Sequence, residues 1–376
     1  MPRIPTSLLL QAYRQHPLLP VLLKECRSLD SAQNELRWLR EKAINDLRVH
    51  CTRENQQEQQ SAKGTKWRNQ LRSMCFQRAR GKPLQYILGD QPFGELEILC
   101  RKGVLIPRVE TELYTFHAAD LILNDMGYKH STQARPLHIL DLCTGSGCIS
   151  LLLHALLAPH VKDLTIVGID LSSRAIRLAQ KNLEHNLRRG LLSSRARSEV
   201  LFRQADILGL QEIHCPKLED VLSDQLLLGH LNGSGSSIPS SSLCWDVLIS
   251  NPPYISPSSF KNGTTARSVR VYEPTLALVP PLSALSNLSR LNVGNIRQED
   301  AFYPQLLSLT FRLGTRLAIF ECGSLAQAQR VVCMAQTLAR QVEHCRDFAI
   351  DIWQPCIQDD NDLSGARAVI LRRVQL

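Results

Sequence analysis

Two apolar runs restrict the fold of this chain more than any other feature: His138-Ile139-Leu140-Asp141-Leu142-Cys143-Thr144-Gly145-Ser146-Gly147-Cys148-Ile149-Ser150 and Leu164-Thr165-Ile166-Val167-Gly168-Ile169-Asp170. The first begins as a strand, passes through a glycine pair and becomes a helix over Ile149 to Leu157. The second supplies the next strand, so together they predict a βαβ unit. Gly145 and Gly147 let the backbone come close to a ligand, and the helix N-terminus beyond them favours a carboxylate. Asp170 stands about 20 residues on, at a strand tip, where one carboxylate can take both hydroxyls of a ribose. Gly-x-Gly alone says little. Strand, loop, helix, strand and acid together predict a site for a nucleoside-containing cofactor.

The alternation continues. Ser172 to Arg189 reads as a helix, and Val200 to Asp206 as a third strand with a polar end. Asp206 can accept the exocyclic amine of an adenine, or it can cap the next turn. Residues 230–242 are rich in Gly and Ser and read as a disordered insertion. A fourth strand, Trp245 to Ser250, then runs into Asn251-Pro252-Pro253-Tyr254. Strands alternating with helices predict an α/β fold whose mostly parallel sheet is covered on both faces. Ligands bind such a sheet beyond the strand C-termini, where strand order reverses. If strands one and four are neighbours, the tetrapeptide faces the cofactor.

Two consecutive prolines fix φ and remove two N–H donors, so the chain leaves the sheet in a stiff loop. An amide side chain, backbone carbonyls and an aromatic ring remain. Such a site accepts hydrogen bonds from an –NH2 group and stacks a flat one, but offers no acid, base or nucleophile. A rigid strand-to-loop turn is the alternative. Nicotinamide dinucleotide and S-adenosylmethionine both fit a glycine loop with an acid. A dehydrogenase needs a proton relay or zinc at the substrate face, which is not placed here, whereas methyl transfer to a planar nitrogen suits the tetrapeptide.

Upstream, helical spacing runs from Ser28 to about Arg80, interrupted by a polar, Gln-rich tract from Glu54 to Lys66 that reads as a long mobile loop. Trp67 to Arg80 is a basic amphipathic helix. A small bundle follows, whose basic face is either a partner surface or simply solvated. Phe93 to Cys100 and Val104 to Pro107 read as two strands around Arg101-Lys102-Gly103, a hairpin leading into a helix that opens with Val109-Glu110-Thr111-Glu112. The expected domains are thus 1–90 (helical), 91–108 (hairpin linker) and 109–376 (cofactor-binding).

The formal net charge of +9 suits a ribosome-associated or mitochondrial setting, or merely a basic surface. Twelve cysteines with no C-x-x-C pair support neither a metal site nor a disulfide framework. No membrane span is visible, since Arg14, Gln15, His16 and two prolines interrupt Leu8 to Leu23. Arg3, Arg14 and Lys24, with no acid among the first 24 residues, give a weak transit-peptide composition.

At Asn251 to Tyr254 the chain resembles the class I S-adenosylmethionine-dependent amino-methyltransferases. Arg80-Gly81-Lys82-Pro83-Leu84-Gln85-Tyr86-Ile87 with Gly89 narrows the resemblance to the HemK/PrmC family, and Ile106-Pro107-Arg108-Val109-Glu110-Thr111-Glu112 is similar to that family's I-P-R-x-E-T-E segment. Asp141 to Ile149 matches its cofactor loop, with cysteine where glycine or another small residue is usual. Tyr272-Glu273-Pro274 to Leu278, Glu321-Cys322-Gly323 and Asp362 to Arg367 are similar to its later segments. The insertions at 230–242 and near 283–299, and the Gln-rich tract, depart from it without touching a motif.

The resemblance implies a Rossmann-like, seven-stranded methyltransferase domain behind a helical amino-terminal domain. It implies methyl transfer from S-adenosylmethionine to N5 of the glutamine in the Gly-Gly-Gln motif of a class 1 peptide chain release factor. Transient proximity to the ribosome and a mitochondrial location go with it, the cytoplasm being the alternative location. The site residues it implies are Asn251, Pro252, Pro253 and Tyr254 at the acceptor, with Glu110 and Thr111 lining the same pocket. Asp141, Thr144, Gly145, Gly147, Asp170, Asp206 and Asn251 are expected at the cofactor, and no metal. Asn251 would accept one N–H of the acceptor amide and the Pro252 carbonyl the other, while Tyr254 walls the pocket. A nucleic-acid base amino-methyltransferase, acting on guanine N2 or adenine N6, would use the same tetrapeptide and stays open at this point.

Overall fold

The computed structural model describes residues 3–51, 60–129, 135–210, 215–223, 245–286, 296–341, 348–355 and 367–374. The chain divides into two units, Met1–Gln91 with Ala266–Tyr272, and Pro92–Thr265 with Glu273–Leu376.

The first unit is helical: α1 (Thr6–Gln15), α2 (Leu19–Cys26), α3 (Leu29–Cys51), α4 (Gln60–Ala79) and α5 (Leu84–Leu88). Ser28 Oγ accepts from the Ser31 N–H and starts α3 at a hydroxyl. Leu19, Leu22, Leu23, Leu39, Leu71 and Ile87 meet in one core, to which α1 adds Ala12. The bundle therefore begins well before Ser28, and the weakly transit-like stretch contributes Leu19, Leu22 and Leu23 to its interior. A bidentate pair from Arg78 to Glu35, 2.8 and 2.9 Å, ties α4 to α3. Residues 60–66 of the Gln-rich tract belong to α4 rather than to a loop, and Gln60, Ala62, Lys63 and Lys66 are themselves good helix formers. Residues 54–59 lie outside the described residues. Outward, guanidinium groups sit over rings at Arg40/Trp67, Arg68/Trp67 and Arg72/Phe76. The segment Arg267–Tyr272 joins this unit through Arg267 and Tyr272, both donating to the Arg80 carbonyl.

The boundary between the units falls within β1 (Asp90–Phe93), which pairs with β2 (Leu96–Leu99). The hairpin thus turns at Gly94, with φ +56°, and not at Arg101-Lys102-Gly103. Val104 to Pro107 forms no strand: the Val104 N–H donates to the Arg101 carbonyl (3.2 Å), the Ile106 N–H is spent on the buried Glu273 carboxylate (3.1 Å), and Pro107 has none. Nor is the hairpin a free linker. Asn182 and Asn186 accept from the Leu99 and Glu97 amides of β2 at 2.8 and 3.0 Å, fixing it to the second unit.

That unit holds a seven-stranded sheet in the order β5-β4-β3-β6-β7-β9-β8. The strands are β3 (Leu137–Leu142), β4 (Leu164–Asp170), β5 (Val200–Gln204), β6 (Val247–Ser250), β7 (Leu317–Cys322), β8 (Phe348–Trp353) and β9 (Arg367–Arg373). Five are parallel, and β9 runs antiparallel to both β7 and β8. Helices α6 (Val109–Asp120), α7 (Cys148–Leu157) and α8 (Ser173–Arg188) cover one face; α9 (Tyr303–Arg312) and α10 (Leu325–Gln341) cover the other. Being covered twice, β6 and β7 are buried at every residue, which explains their continuous apolar runs. Ile139, Ile166, Val247 and Ile319 point to the first core; Leu140, Val167, Leu248 and Phe320 point to the second.

This is the class I methyltransferase architecture. Strand order reverses between β3 and β6, which pair from Ile139↔Val247 to Leu142↔Ser250. The glycine loop and the tetrapeptide therefore leave adjacent strand tips. The insertion at 230–242 lies outside the described residues, as do 287–295 and 356–366. Around 287–295 the chain forms short helices at Ser283–Ser286 and Gln298–Asp300.

Candidate active site

The loop after β3 is held from below by Asp141. Its Oδ2 accepts from Thr144 Oγ1 and Ser150 Oγ, both at 2.6 Å, while Oδ1 is buried with no partner among the described residues. Burial lifts its carboxyl to about 7, and the two hydroxyl bonds oppose that rise. Cys143 takes φ +63°, a left-handed conformation that favours glycine. The two glycines differ. Gly145 has φ +57°, and an added Cβ would meet nothing closer than 3.9 Å, so its need is conformational. Gly147 has φ +80°, and a Cβ there would lie 2.8 Å from the Phe202 ring, so its need is also packing of α7 against β5.

Asp170 at the end of β4 joins the loop to the next strand. Its Oδ2 accepts from the Gly145 N–H (2.9 Å) and Oδ1 from the Ser172 N–H (2.8 Å). Burial raises its pKa, and those two backbone donors hold it back. Asp206 Oδ1 accepts from the Leu208 N–H at 3.0 Å and so caps the turn that follows it.

Beyond β6, Asn251 Nδ2 donates to Thr111 Oγ1 at 3.0 Å. Thr111 donates in turn to Glu321 Oε2 (2.8 Å), and Tyr254 donates to Glu321 Oε1 (2.9 Å). Glu321 is 2% exposed, and burial pushes its carboxyl to about 7 against the pull of the Thr111 and Tyr254 bonds. Gln327 steadies the turn: it donates to the Tyr254 carbonyl (3.3 Å) and accepts from the Gly323 N–H (2.8 Å).

A cleft with ≈ 1130 Å³ of empty space, its mouth included, opens over these strand tips. Thr144, Gly145, Asp170, Asp206, Asn251, Pro253 and Thr111 line it. Asp141, Gly147, Pro252, Tyr254 and Glu110 do not. Tyr254 turns away from the cleft onto Gly323 and Glu321, since the hydroxyl of a buried tyrosine needs a partner. Glu110 is half-buried beside Thr111, its charge felt by Arg108 and Tyr254. Arg108, absent from the expected set, lines the cleft and is anchored by Glu273 at 2.7 Å. Glu321 was also missed. Its one signal is an acid inside the apolar strand Leu317–Cys322, and its partners stand 67 and 210 residues away.

The cleft fits S-adenosylmethionine. Asp170 carries lone pairs beyond those its two N–H bonds use, and Ile207, Leu208 and Phe302 offer apolar wall for a flat base. Among the described residues no group of His, Cys, Asp and Glu is placed to hold a metal ion. A doubly covered sheet of this strand order, with a glycine loop facing an Asn-Pro-Pro-Tyr turn, defines an S-adenosylmethionine-dependent methyltransferase.

Comparison with known proteins agrees. A family profile described as a methyltransferase domain matches residues 134–244. The chain is 35% identical to the mitochondrial MRF1 N(5)-glutamine methyltransferase MTQ1 of Saccharomyces cerevisiae, over 77% of this chain and 71% of that one. It is 34% identical to the probable MRF1 mitochondrial N(5)-glutamine methyltransferase mtq1 of Schizosaccharomyces pombe, over 99% and 97%. The release factor glutamine methyltransferase of Chlorobaculum tepidum is 32% identical over 56% of this chain and 57% of its own. Among solved structures, the N-terminal domain of human METTL16 aligns with TM-score 0.42 and 16% identity, over 81% of this chain and 82% of that one. The chain belongs to the N(5)-glutamine methyltransferase family.

Proposed function

We propose that this protein methylates N5 of the glutamine in the Gly-Gly-Gln motif of a class 1 peptide chain release factor, in mitochondria. One observation carries the chemistry: Asn251 spends its NH2 on Thr111, and among the described residues nothing donates to its Oδ1. That oxygen is left to accept one N–H of a carboxamide, and the Pro252 carbonyl is assigned the second. The names of the two yeast relatives support the glutamine acceptor and the mitochondrial setting.

A carboxamide nitrogen is a weak nucleophile because its lone pair is delocalised. Accepting both of its protons aligns it and enriches the nitrogen in electron density. S-adenosylmethionine, when bound, supplies a methyl group already activated on a positively charged sulfur. The N–C bond forms as the S–C bond breaks, leaving S-adenosylhomocysteine. The methylated nitrogen is then strongly acidic and sheds one proton to water, so the site needs no strong base. Asn251, Pro252 and the backbone held by Gln327 supply positioning, which in well-oriented systems contributes roughly 7–11 kcal/mol of the barrier. Asp170 and Gly145 are assigned the nucleoside side, on the loop that Asp141 holds through Thr144 and Ser150.

The test uses labelled S-adenosylmethionine, intact class 1 release factors and rRNA. Label is expected on the factor and absent after the Gly-Gly-Gln glutamine is replaced by alanine. Label in rRNA, or persisting on the altered factor, would transfer the assignment to base methylation.

A further inference from the structure

We propose that Glu321 is a positioning residue: acting through Thr111, it sets which end of the Asn251 amide meets the substrate. The inference rests on the acceptor reading of Asn251 above. An asparagine amide is nearly symmetric in shape, so packing alone does not choose between its oxygen and its nitrogen. The choice needs a neighbour that is fixed as donor or acceptor. Thr111 has one proton to give, and a hydroxyl can both donate and accept.

Glu321 removes that ambiguity. A carboxylate only accepts, and Thr111 Oγ1 donates to it at 2.8 Å. With its proton spent, Thr111 can only accept from Asn251, so Nδ2 faces Thr111 at 3.0 Å and Oδ1 is left for the substrate. The other carboxylate oxygen is occupied by the Tyr254 hydroxyl at 2.9 Å. The strand geometry makes this possible. Ser250 of β6 pairs with Phe320 of β7, so the next residues, Asn251 just past β6 and Glu321 still within β7, stand at the same level. Thr111, from the first turn of α6, sits between them.

Glu321 does not line the cleft, so it acts on the substrate only through these hydroxyls. A protonated Glu321 would carry a donor of its own and force one of the two hydroxyls to reverse. If Thr111 reverses, its proton turns to Asn251 and the amide must flip, presenting NH2 to an NH2. The groups around the carboxyl are Arg108 and Glu110 before and at the start of α6, Tyr114 on α6, Tyr254 after β6, Cys148 at the start of α7 and Cys322 beside it on β7. Burial sets it to titrate at about 7, so the direction of the chain is lost as pH falls through that value.

The experiment compares the full chain with Glu321→Gln, Thr111→Val, Thr111→Ser and the double variant Glu321→Gln/Thr111→Val. Glu321→Gln and Thr111→Val should each lower kcat at least about tenfold, with the KM for release factor and the affinity for S-adenosylmethionine within about threefold of wild type. Thr111→Ser, which restores the hydroxyl, should return kcat to within about threefold. The double variant should be no slower than the worse single one, because both break one relay. Wild-type kcat should rise with pH through about 7, and that acid limb should vanish in Glu321→Gln. A merely structural carboxyl would lower stability without moving the pH limb. The inference is overturned if Thr111→Val turns over within about twofold of wild type, or if the limb persists in Glu321→Gln. Should Glu321→Gln fail to fold, the Val/Ser pair at Thr111 decides. If wild type labels no glutamine, the substrate reading falls. The Asn251 side-chain ¹⁵N–¹H signals of the cofactor-bound protein then decide the relay: they should move in Thr111→Val and hold in Thr111→Ser, and signals unmoved in Thr111→Val overturn it.

Discussion

Asp170→Asn is the most informative single change at the cofactor. In the wild type one carboxylate accepts from two backbone donors, Gly145 N–H at 2.9 Å and Ser172 N–H at 2.8 Å. An amide has one acceptor oxygen, so one of those N–H groups would face an NH2. A charge-assisted bond contributes about 1.5–3 kcal/mol and a neutral one about 0.5–1.5 kcal/mol. Losing one and weakening the other therefore costs about 2–4 kcal/mol in holding the glycine loop. With the nucleoside assigned to Asp170, its ribose hydroxyls would lose the same charge, so the two effects act in one direction on binding. At about 1.4 kcal/mol per decade, affinity for S-adenosylmethionine should fall by roughly 30-fold or more. The sheet itself should survive, because the buried registers of β3, β4 and β6 do not involve this side chain. Isothermal calorimetry with S-adenosylmethionine, alongside thermal melting without it, reads both. A folded variant that binds within about threefold of wild type would refute the reasoning.

Other outcomes follow from the same geometry. Asn251→Ala should lower kcat by at least about 100-fold while cofactor affinity stays within about threefold, measured by single-turnover transfer and calorimetry. Gly147→Ala places a Cβ 2.8 Å from Phe202 and 3.0 Å from Ala179 at φ +80°. Left-handed strain of about 1–2 kcal/mol and overpacking of about 1–3 kcal/mol should show as a lower denaturant midpoint. Gly145→Ala, with nothing nearer than 3.9 Å, should show the strain alone and lose cofactor affinity instead. For Asp141 the folded carboxyl keeps its proton to about 7, against 3.8 in the unfolded chain. Its contribution to stability is thus complete below 3.8 and is lost as pH rises through about 7. Asp141→Asn should flatten that decline in melting temperature between pH 5 and 8, and a decline of unchanged slope would count against the assignment.

The parts of this protein legible in its sequence are those encoded by neighbouring residues. The apolar run into Gly145 and Gly147, and the acid at Asp170, specify strand, loop, helix and strand because period, glycine conformation and strand-end chemistry are local. Asn251 to Tyr254 is a stiff turn for the same reason: proline acts on its own backbone. Helix and strand ends were less legible. The hairpin turn sits at Gly94 rather than near Gly103, and residues 60–66 are helical because Gln, Ala and Lys are good helix formers whatever their polarity.

Only the tertiary structure decides what those local pieces do together. It brings β6 beside β3, so that the glycine loop and the Asn-Pro-Pro-Tyr turn, separated by about a hundred residues, share one cleft. It turns Tyr254 away from that cleft and onto a carboxylate. It also draws Thr111, Asn251 and Glu321 into one chain of hydrogen bonds across 140 and 210 residues of sequence. A hydrogen bond depends on separations of about 3 Å and on direction. No spacing along a chain encodes either between distant residues; the burial of two apolar faces on one sheet sets them, by fixing which strands lie side by side and at what level.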